Sequence, residues 1–433
     1  MADGPSPHPL PAWSWAYVTF RYADGATNAL VSLAVVLHYD LPLWALAATT
    51  AAMNLAGVPA AFLWGALVDR LHDRRPVVVG GFAVAALALA TLALLPPFPV
   101  YVAGAVTYTA FGVATSPAAS TMVLAGLRRS HWAPATGRLS RRTGFAFLAG
   151  MGTAILVGFA PGPLPFQAVF AGAAVVAALA ALVAARTVPG PPSVPASAVG
   201  GFDPGVAQAG QRRFERPVFF PARLLDFPTL RGLRTGLARG HRLWPLGVAL
   251  TFTGSVAFFT SYPGVLSTHL GLAAGVVLLC QAPSHIVTPI TYPWAGRHGA
   301  RVGESRGVRQ GALLRLVGVP GLCAAIFFLG ASAVPLLLAL HALMGFSFAL
   351  IQTNGPLILA ELHPGGRGQG VGLYHAAVGT GTLAGSASAF ALLRLFPYPV
   401  SYLFAVGLTV AGVALLASAH ERLQRERHAP LPI

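Results

Sequence analysis

The sequence predicts an all-α polytopic membrane protein, with twelve transmembrane helices in two pseudo-symmetric bundles of six. Three observations carry that expectation. Hydrophobic residues fill 55% of the 433 positions and charged residues only 9%, against about a quarter charged in soluble domains. Apolar runs recur along the chain, and twelve spans of about 20 residues use roughly 240 positions. The basic residues gather in alternate connections, as they do when one side of a membrane retains positive charge. A soluble enzyme with an ordinary charged surface is excluded.

The runs fall at roughly 13–37, 44–68, 76–95, 100–125, 143–160, 166–185, 243–266, 271–295, 312–330, 335–360, 370–396 and 400–419. Proline separates several of them. Pro96-Pro97-Phe98-Pro99, Pro161-Gly162-Pro163-Leu164-Pro165 and Phe396-Pro397-Tyr398-Pro399 each stop one helix and start the next. The ninth run is the shortest argument for a span, because it carries Arg315 and Pro320. Met1 to Ala12 is proline-rich, holds Asp3 and no arginine, and reads as a retained start rather than a cleavable signal.

All 28 basic residues are arginine, since the chain has no lysine. With both termini on the cytoplasmic side, the connections after runs 2, 4, 8 and 10 hold three, five, five and one arginine, Arg315 being counted with the third. The segment 186–242 holds nine and the C-terminal tail three, so 26 of 28 lie on one side. The exceptions are Arg21, inside run 1, and Arg394, near the outer end of run 11. The net charge of +16 is therefore a topology signal in the plasma membrane, with attraction to anionic lipid as an addition. Nucleic acid is not expected as a partner. Cys280 and Cys323 sit in apolar runs and form neither a disulfide framework nor a metal spacing.

The chain divides into an N-terminal bundle at 1–187, a central cytoplasmic loop at 188–241 and a C-terminal bundle at 242–433. The loop begins with a Pro, Gly, Ala and Ser-rich linker. Its second half puts Leu230, Leu233 and Leu237 on one face beside Arg231, Arg234 and Arg239. That half is either a solvated tether or a short basic helix on the membrane surface.

The halves repeat each other at an offset of 235 residues. Leu124-Ala125, Leu127, Gly137, Gly144 and Leu148-Ala149-Gly150 recur as Leu359-Ala360, Leu362, Gly372, Gly379 and Leu383-Ala384-Gly385, eight identities in 27 positions. Both segments join a fourth helix to a fifth. A parallel repeat of this kind places a solute path between the halves, near the midplane.

The link between runs 2 and 3 reads Gly65-Ala66-Leu67-Val68-Asp69-Arg70-Leu71-His72-Asp73-Arg74-Arg75. It resembles the signature loop of the major facilitator superfamily (MFS), G-x-L-x-D-R-x-G-R-R/K. Gly65, Leu67, Asp69, Arg70 and the Arg74-Arg75 pair match. His72 stands for the usual glycine, and Asp73 for a basic residue. The resemblance implies a secondary transporter that works by alternating access, usually as a monomer and without a cofactor. It also implies that Gly65, Asp69, Arg70, Arg74 and Arg75 form a conformational latch. Asp69 then sits against the start of run 11, near Gly368 to Gly372, where exposed N–H groups receive a carboxylate. The arginines either pair with Glu361 or with lipid phosphate, or only fix topology.

Polar content selects the helices that face the path. Runs 3, 6, 9 and 12 are nearly bare and should face lipid, whereas ionisable groups at membrane depth face an interior or a watery cavity. Run 1 places Tyr17, Arg21, Asp24 and Asn28 on one face. Arg21 and Asp24 are three apart and can neutralise each other, as a structural pair, a proton carrier or a substrate contact. Run 8 carries Gln281, His285, Thr288 and Tyr292 along one face. It also holds Pro283, Pro289 and Pro293, which should break it and leave carbonyls facing a cavity. His285 either titrates or bonds to a neighbouring helix. Run 10 adds His341, Gly345, Phe348 and Gln352, with Asn354 beyond. Tyr108, Thr115, Asn54, Tyr374 and His375 are weaker entries.

Two absences separate the chain from the proton-driven drug exporters of the superfamily. They carry an arginine four residues before a glycine in the fourth helix, where this chain has Tyr108 before Gly112. They also carry a Gly-Pro pair within the fifth helix, and none lies in run 5. Gly381-Thr382-Leu383-Ala384-Gly385 means close helix packing, not a nucleotide loop. No catalytic or metal-binding constellation occurs, so the expected function is transport of a small solute, with protons as an optional partner. A non-transporting membrane sensor on the same fold is the alternative.

Overall fold

The structure, a computed structural model, describes residues 11–70, 73–124, 132–159, 166–190, 241–362 and 367–428. The described residues are helical almost throughout. In order they form α1 (Ser14–Leu37), α2 (Leu43–Arg70), α3 (Arg75–Ala93), α4 (Phe98–Leu124), α5 (Trp132–Gly158) and α6 (Phe166–Thr187). After the central segment come α7 (Leu243–Thr268), α8 (Ala274–Val302), α9 (Glu304–Leu329), α10 (Val334–Leu362), α11 (Arg367–Leu395) and α12 (Tyr398–His428). Eight helical stretches among the described residues are long and apolar enough to cross a membrane; one of them, Glu304–Leu362, takes in both α9 and α10. The chain is an integral membrane protein. Most of the central loop, with the basic leucine face at 230–239, lies outside the described residues.

Hydroxyl groups do not interrupt the apolar faces. Those of Thr27, Thr49, Thr91, Thr107, Thr260 and Thr409 donate to carbonyls four residues back in their own helices. Such bonds satisfy the hydroxyl where lipid offers no partner.

Three boundaries differ from the sequence reading. α5 starts eleven residues earlier than run 5, because its polar first turns continue the helix beyond the apolar stretch. α8 runs unbroken through Pro283, Pro289 and Pro293 to Val302. The three prolines therefore do not split it. α9 begins at Glu304, only one residue later, because Gly303 at φ 92° turns the chain. Arg306 and Arg309 thus lie on a helix, not in a loop.

The packing has an internal order. In the first half α1 packs against α5 and α6, α3 against α4 and α6, and α2 against α4. In the second half α7 packs against α11 and α12, α9 against α10 and α12, and α8 against α10. Adding six to each helix number turns the first set into the second. The main contacts between halves, α2 with α11 and α5 with α8, also exchange under that shift.

The repeated glycines sit at matching places. A side-chain carbon at Gly150 would strike the Tyr22 carbonyl and the Ala26 amide of α1, and one at Gly385 the Thr253 carbonyl and the Ala257 amide of α7. Glycine is needed at both because helix backbone meets helix. Their partners Gly144 and Gly379 face across the halves, towards Pro289 of α8 and Val58 of α2.

Candidate functional site

A cavity of about 1090 Å³ lies where α1, α2, α4 and α5 face α7, α8 and α10, with one further residue from α9. Among the described residues, none of its lining comes from α3, α6, α11 or α12. Much of the wall is apolar, including Phe20, Phe147, Phe252, Phe259, Met344 and Phe348. Of the sequence-predicted path residues, Arg21, Asp24, Asn28, Tyr108, Gln281, His285, Thr288 and His341 line it. So do Tyr17, Asn54, Tyr292, Gly345 and Phe348. Gln352 does not; its side-chain oxygen accepts from the Tyr374 hydroxyl at 3.1 Å, behind the wall. Asn354 packs between α8 and α9, against Gly299 and Gly307. The side chain of Thr115 lies outside the described residues.

On α1 the three-residue spacing of Arg21 and Asp24 brings Nη1 onto Oδ2 as an ion pair. The other carboxylate oxygen accepts from the Tyr108 hydroxyl of α4 at 2.7 Å. The Thr27 hydroxyl oxygen lies 3.3 Å from that hydroxyl. Both oxygens of Asp24 are thus held by donors, and charge-assisted bonds of this kind are the strong ones. Tyr108 occupies the position where the drug exporters carry an arginine, and it serves Asp24. The guanidinium of Arg21 also lies over the Phe147 ring of α5, 4.9 Å from its centroid.

The α8 face presents its groups in the predicted row. Thr288 donates to the Ser284 carbonyl at 2.7 Å and lies 3.1 Å from the Gly345 carbonyl of α10. Gln281 reaches back to the Val277 carbonyl at 3.5 Å. The His285 ring rests against Phe147 with centroids 4.9 Å apart, and forms no hydrogen bond among the described residues. On α10, His341 donates from Nδ1 to the Leu337 carbonyl at 2.8 Å. Its Nε2 is buried without a partner among the described residues, between the rings of Phe259 and Tyr262.

The residue that sequence reasoning misplaced is Arg315. Placed in run 9 yet counted with the cytoplasmic arginines, it lies eleven residues into α9 and is only 3% exposed. It is the one α9 residue on the cavity wall, so that helix is not wholly lipid-facing. Nη1 donates to Ser255 Oγ at 2.7 Å, and Nε to Ser347 Oγ at 3.3 Å. Each serine gives its own proton to a backbone carbonyl, Ser255 to Thr251 and Ser347 to Gly311. Their lone pairs are therefore the part left for the arginine. Phe252 and Phe348 lie 4.8 Å and 5.8 Å from the guanidinium carbon. No carboxylate among the described residues pairs with it. The sequence did carry a signal: Gly311 and Gly318 share its helical face, and they abut Ser347 and Met344 of α10. A face of small residues turns towards protein, not lipid.

One end of the cavity is closed by packed helix ends. A side-chain carbon at Gly158, ending α5, would meet Gly275 at the start of α8, and one at Gly264 of α7 would meet Leu43 and Leu46 of α2. The Trp44 ring lies 6.5 Å from Phe390, and Arg394 stacks over it at 5.8 Å. Towards the other end the lining continues to Leu139 and Ser140 in the first part of α5 and to Ala119 near the end of α4.

The latch is described only in part. Gly65, Asp69 and Arg70 lie on the last turns of α2, with the side chains of Asp69 and Arg70 outside the described residues. Arg75 does not reach towards Glu361; it donates to the Ala185 carbonyl near the end of α6, and its amide to Asp73 Oδ1 at 2.9 Å. A cation at a helix C-terminus is favourable, which accounts for the preference. Arg74 Nε is buried without a partner among the described residues. Among them, too, no three His, Cys, Asp or Glu side chains gather as a metal site.

Residues 14–318 match the Major Facilitator Superfamily. No curated protein matches the chain, but solved structures do. The nucleoside transporter NupG is 13% identical at a TM-score of 0.67, over 94% of this chain and 98% of that one. A bacterial homologue of the human lysosomal transporter Spinster, inward-facing and unoccupied, is 13% identical at 0.68, over 97% and 98%. A POT family transporter in complex with 5-aminolevulinic acid is 11% identical at 0.70, over 96% and 95%.

Proposed function

The chain belongs to the Major Facilitator Superfamily, and we propose that it is a secondary active transporter that carries a small solute across the plasma membrane by alternating access. The observation that carries this reading is the cavity, enclosed by both halves, apolar in most of its wall and supplied with a few fixed charges. Twelve spans form two bundles, 1–187 and 242–433, joined by the cytoplasmic loop 188–241, with both termini in the cytoplasm. The monomer is the working unit. The packed helix ends near Trp44 and Phe390 are the outer gate, so the conformation is inward-facing. Asp69 and Arg70, with Arg74 and Arg75, latch the opposite end when the carrier turns outward.

The Arg21–Asp24 pair and His285 supply the proton coupling. Asp24 is the acid of that pair, held by Arg21 and Tyr108. His285 carries the second titrating site in the same wall. Nothing favours the sensor alternative.

The test is accessibility from each side of the membrane. Ser140→Cys should react with an impermeant maleimide from the cytoplasmic face, and Leu46→Cys from the outer face only while the outer gate is open. A disulfide between Trp44→Cys and Phe390→Cys should abolish labelling at Leu46→Cys and stop uptake. Uptake that survives the crosslink would sink alternating access through this cavity.

A further inference from the structure

Among the lining residues the fixed charges are Arg21, Asp24 and Arg315. The first two cancel. Asp24 is held by Arg21 and Tyr108, and no ion pair joins it to Arg315 among the described residues. Arg315 keeps its charge on the cavity wall with only two neutral hydroxyls and two aromatic rings around it. A buried arginine without a counter-ion is expensive, and hydroxyls and rings recover only part of the lost hydration. Nη2 makes no hydrogen bond among the described residues, which leaves one edge of the fork open.

We infer that the transported solute is a small organic monoanion, its carboxylate paired with Arg315 and its apolar body lying along Phe252 and Phe348. The inference rests on reading the cavity as the solute path. One carboxylate neutralises one uncompensated arginine, so the loaded cavity carries no net charge while Asp24 is ionised and the histidines are neutral. Guanidinium and carboxylate match as planar fork to planar fork. The apolar wall asks for a body that is itself apolar, which disfavours sugars and small dianions.

The test uses the full chain, purified in detergent, and reads binding at equilibrium as a rise in melting temperature. The probes are benzoate, the neutral benzamide, the cationic benzylamine and the dianion succinate. Benzoate should stabilise the protein, and the other three should do so at least tenfold more weakly. Arg315→Gln should weaken benzoate by tenfold or more, and Arg315→Lys by less, since it keeps the charge but loses the fork. A wild-type measurement covers the case in which Arg315→Gln does not fold. Phenylglyoxal modification of Arg315, read by mass spectrometry, should be slowed by benzoate and not by benzamide. Equal stabilisation by benzamide or benzylamine, benzoate binding unchanged in Arg315→Gln, no protection of Arg315, or no benzoate binding at all would each overturn the inference. Because no flux is measured, it can fail while a neutral or cationic solute is still transported. Conversely, benzoate can bind to a protein whose ends never exchange access, and then only the transport reading fails.

Discussion

Arg21 of α1 and His285 of α8 approach the same ring, that of Phe147 on α5, each at 4.9 Å from its centroid. The ring joins the ion pair of one half to the candidate titrating group of the other. A π-face attracts a cation, so a protonated His285 would compete with Arg21 for Phe147. Charge on α8 is thereby felt at the Arg21–Asp24 pair without direct contact.

Phe147→Ala should remove both attachments. Closed cores lose about 3–5 kcal/mol on Phe→Ala; beside an open cavity we expect about 2 kcal/mol, read as a lower melting temperature in detergent. Phe147→Tyr keeps the face and should stay near wild type. An Ala variant as stable as wild type would mean that the ring holds neither neighbour.

Tyr108→Phe removes one donor from Asp24 and should cost about 1.5–3 kcal/mol, the range for bonds to charged groups. Asp24→Asn leaves Arg21 without its counter-charge. The Arg21 side chain is 43% exposed, so the penalty should fall below the roughly 3–5 kcal/mol of a fully buried pair. Combining Asp24→Asn with Tyr108→Phe should cost less than the sum of the two, since both act on one carboxylate. Strict additivity in thermal unfolding would contradict the shared site.

Gly150→Ala and Gly385→Ala should each destabilise by about 3 kcal/mol or more, because the new carbon meets backbone that cannot yield. Gly172→Ala, with open space around it, should be neutral or gain up to about 1 kcal/mol from helix propensity. Comparable melting temperatures for all three would refute the close approach of α1 to α5 and of α7 to α11.

Gly303→Ala tests a different cause. Nothing crowds that position, but its φ of 92° is one that side chains rarely adopt. The expected cost is about 1–3 kcal/mol from backbone strain alone. Gly303→Asn should cost about as much as Gly303→Ala, because the ψ of 136° at Gly303 lies outside the left-handed helical region that asparagine tolerates.

The helices were legible because a bilayer demands long apolar runs, and prolines mark their ends. The polar faces of α1 and α8 were legible because the residues recur at helical spacing. Arg315 was misplaced for a physical reason: arginine density marks the cytoplasmic side, and α9 enters the membrane with Arg306 and Arg309 directly ahead of it. Only the small-residue face through Gly311 and Gly318 separates the buried arginine from those before it. Gln352 lies one helical turn past Phe348, yet the Tyr374 hydroxyl claims its oxygen. Spacing cannot reveal a neighbour's donor from another helix. The serine acceptors Ser255 and Ser347 were invisible for the same reason.

The missing counter-ion of Arg315 has an electrical side. An empty cavity with neutral histidines carries one positive charge, and a cavity holding a monoanion carries none. In the proposed alternating-access cycle, turning the empty carrier moves that charge through part of the membrane field, worth up to about 2.3 kcal/mol per 100 mV for a full crossing. A carrier loaded with the anion alone, with Asp24 ionised and no coupled proton, moves no net charge in that cycle. With the cytoplasm negative, voltage acts on the unloaded step alone and holds the waiting cavity open to the inside. Depolarisation would then change the rate of turnover without changing the affinity of the site for its anion.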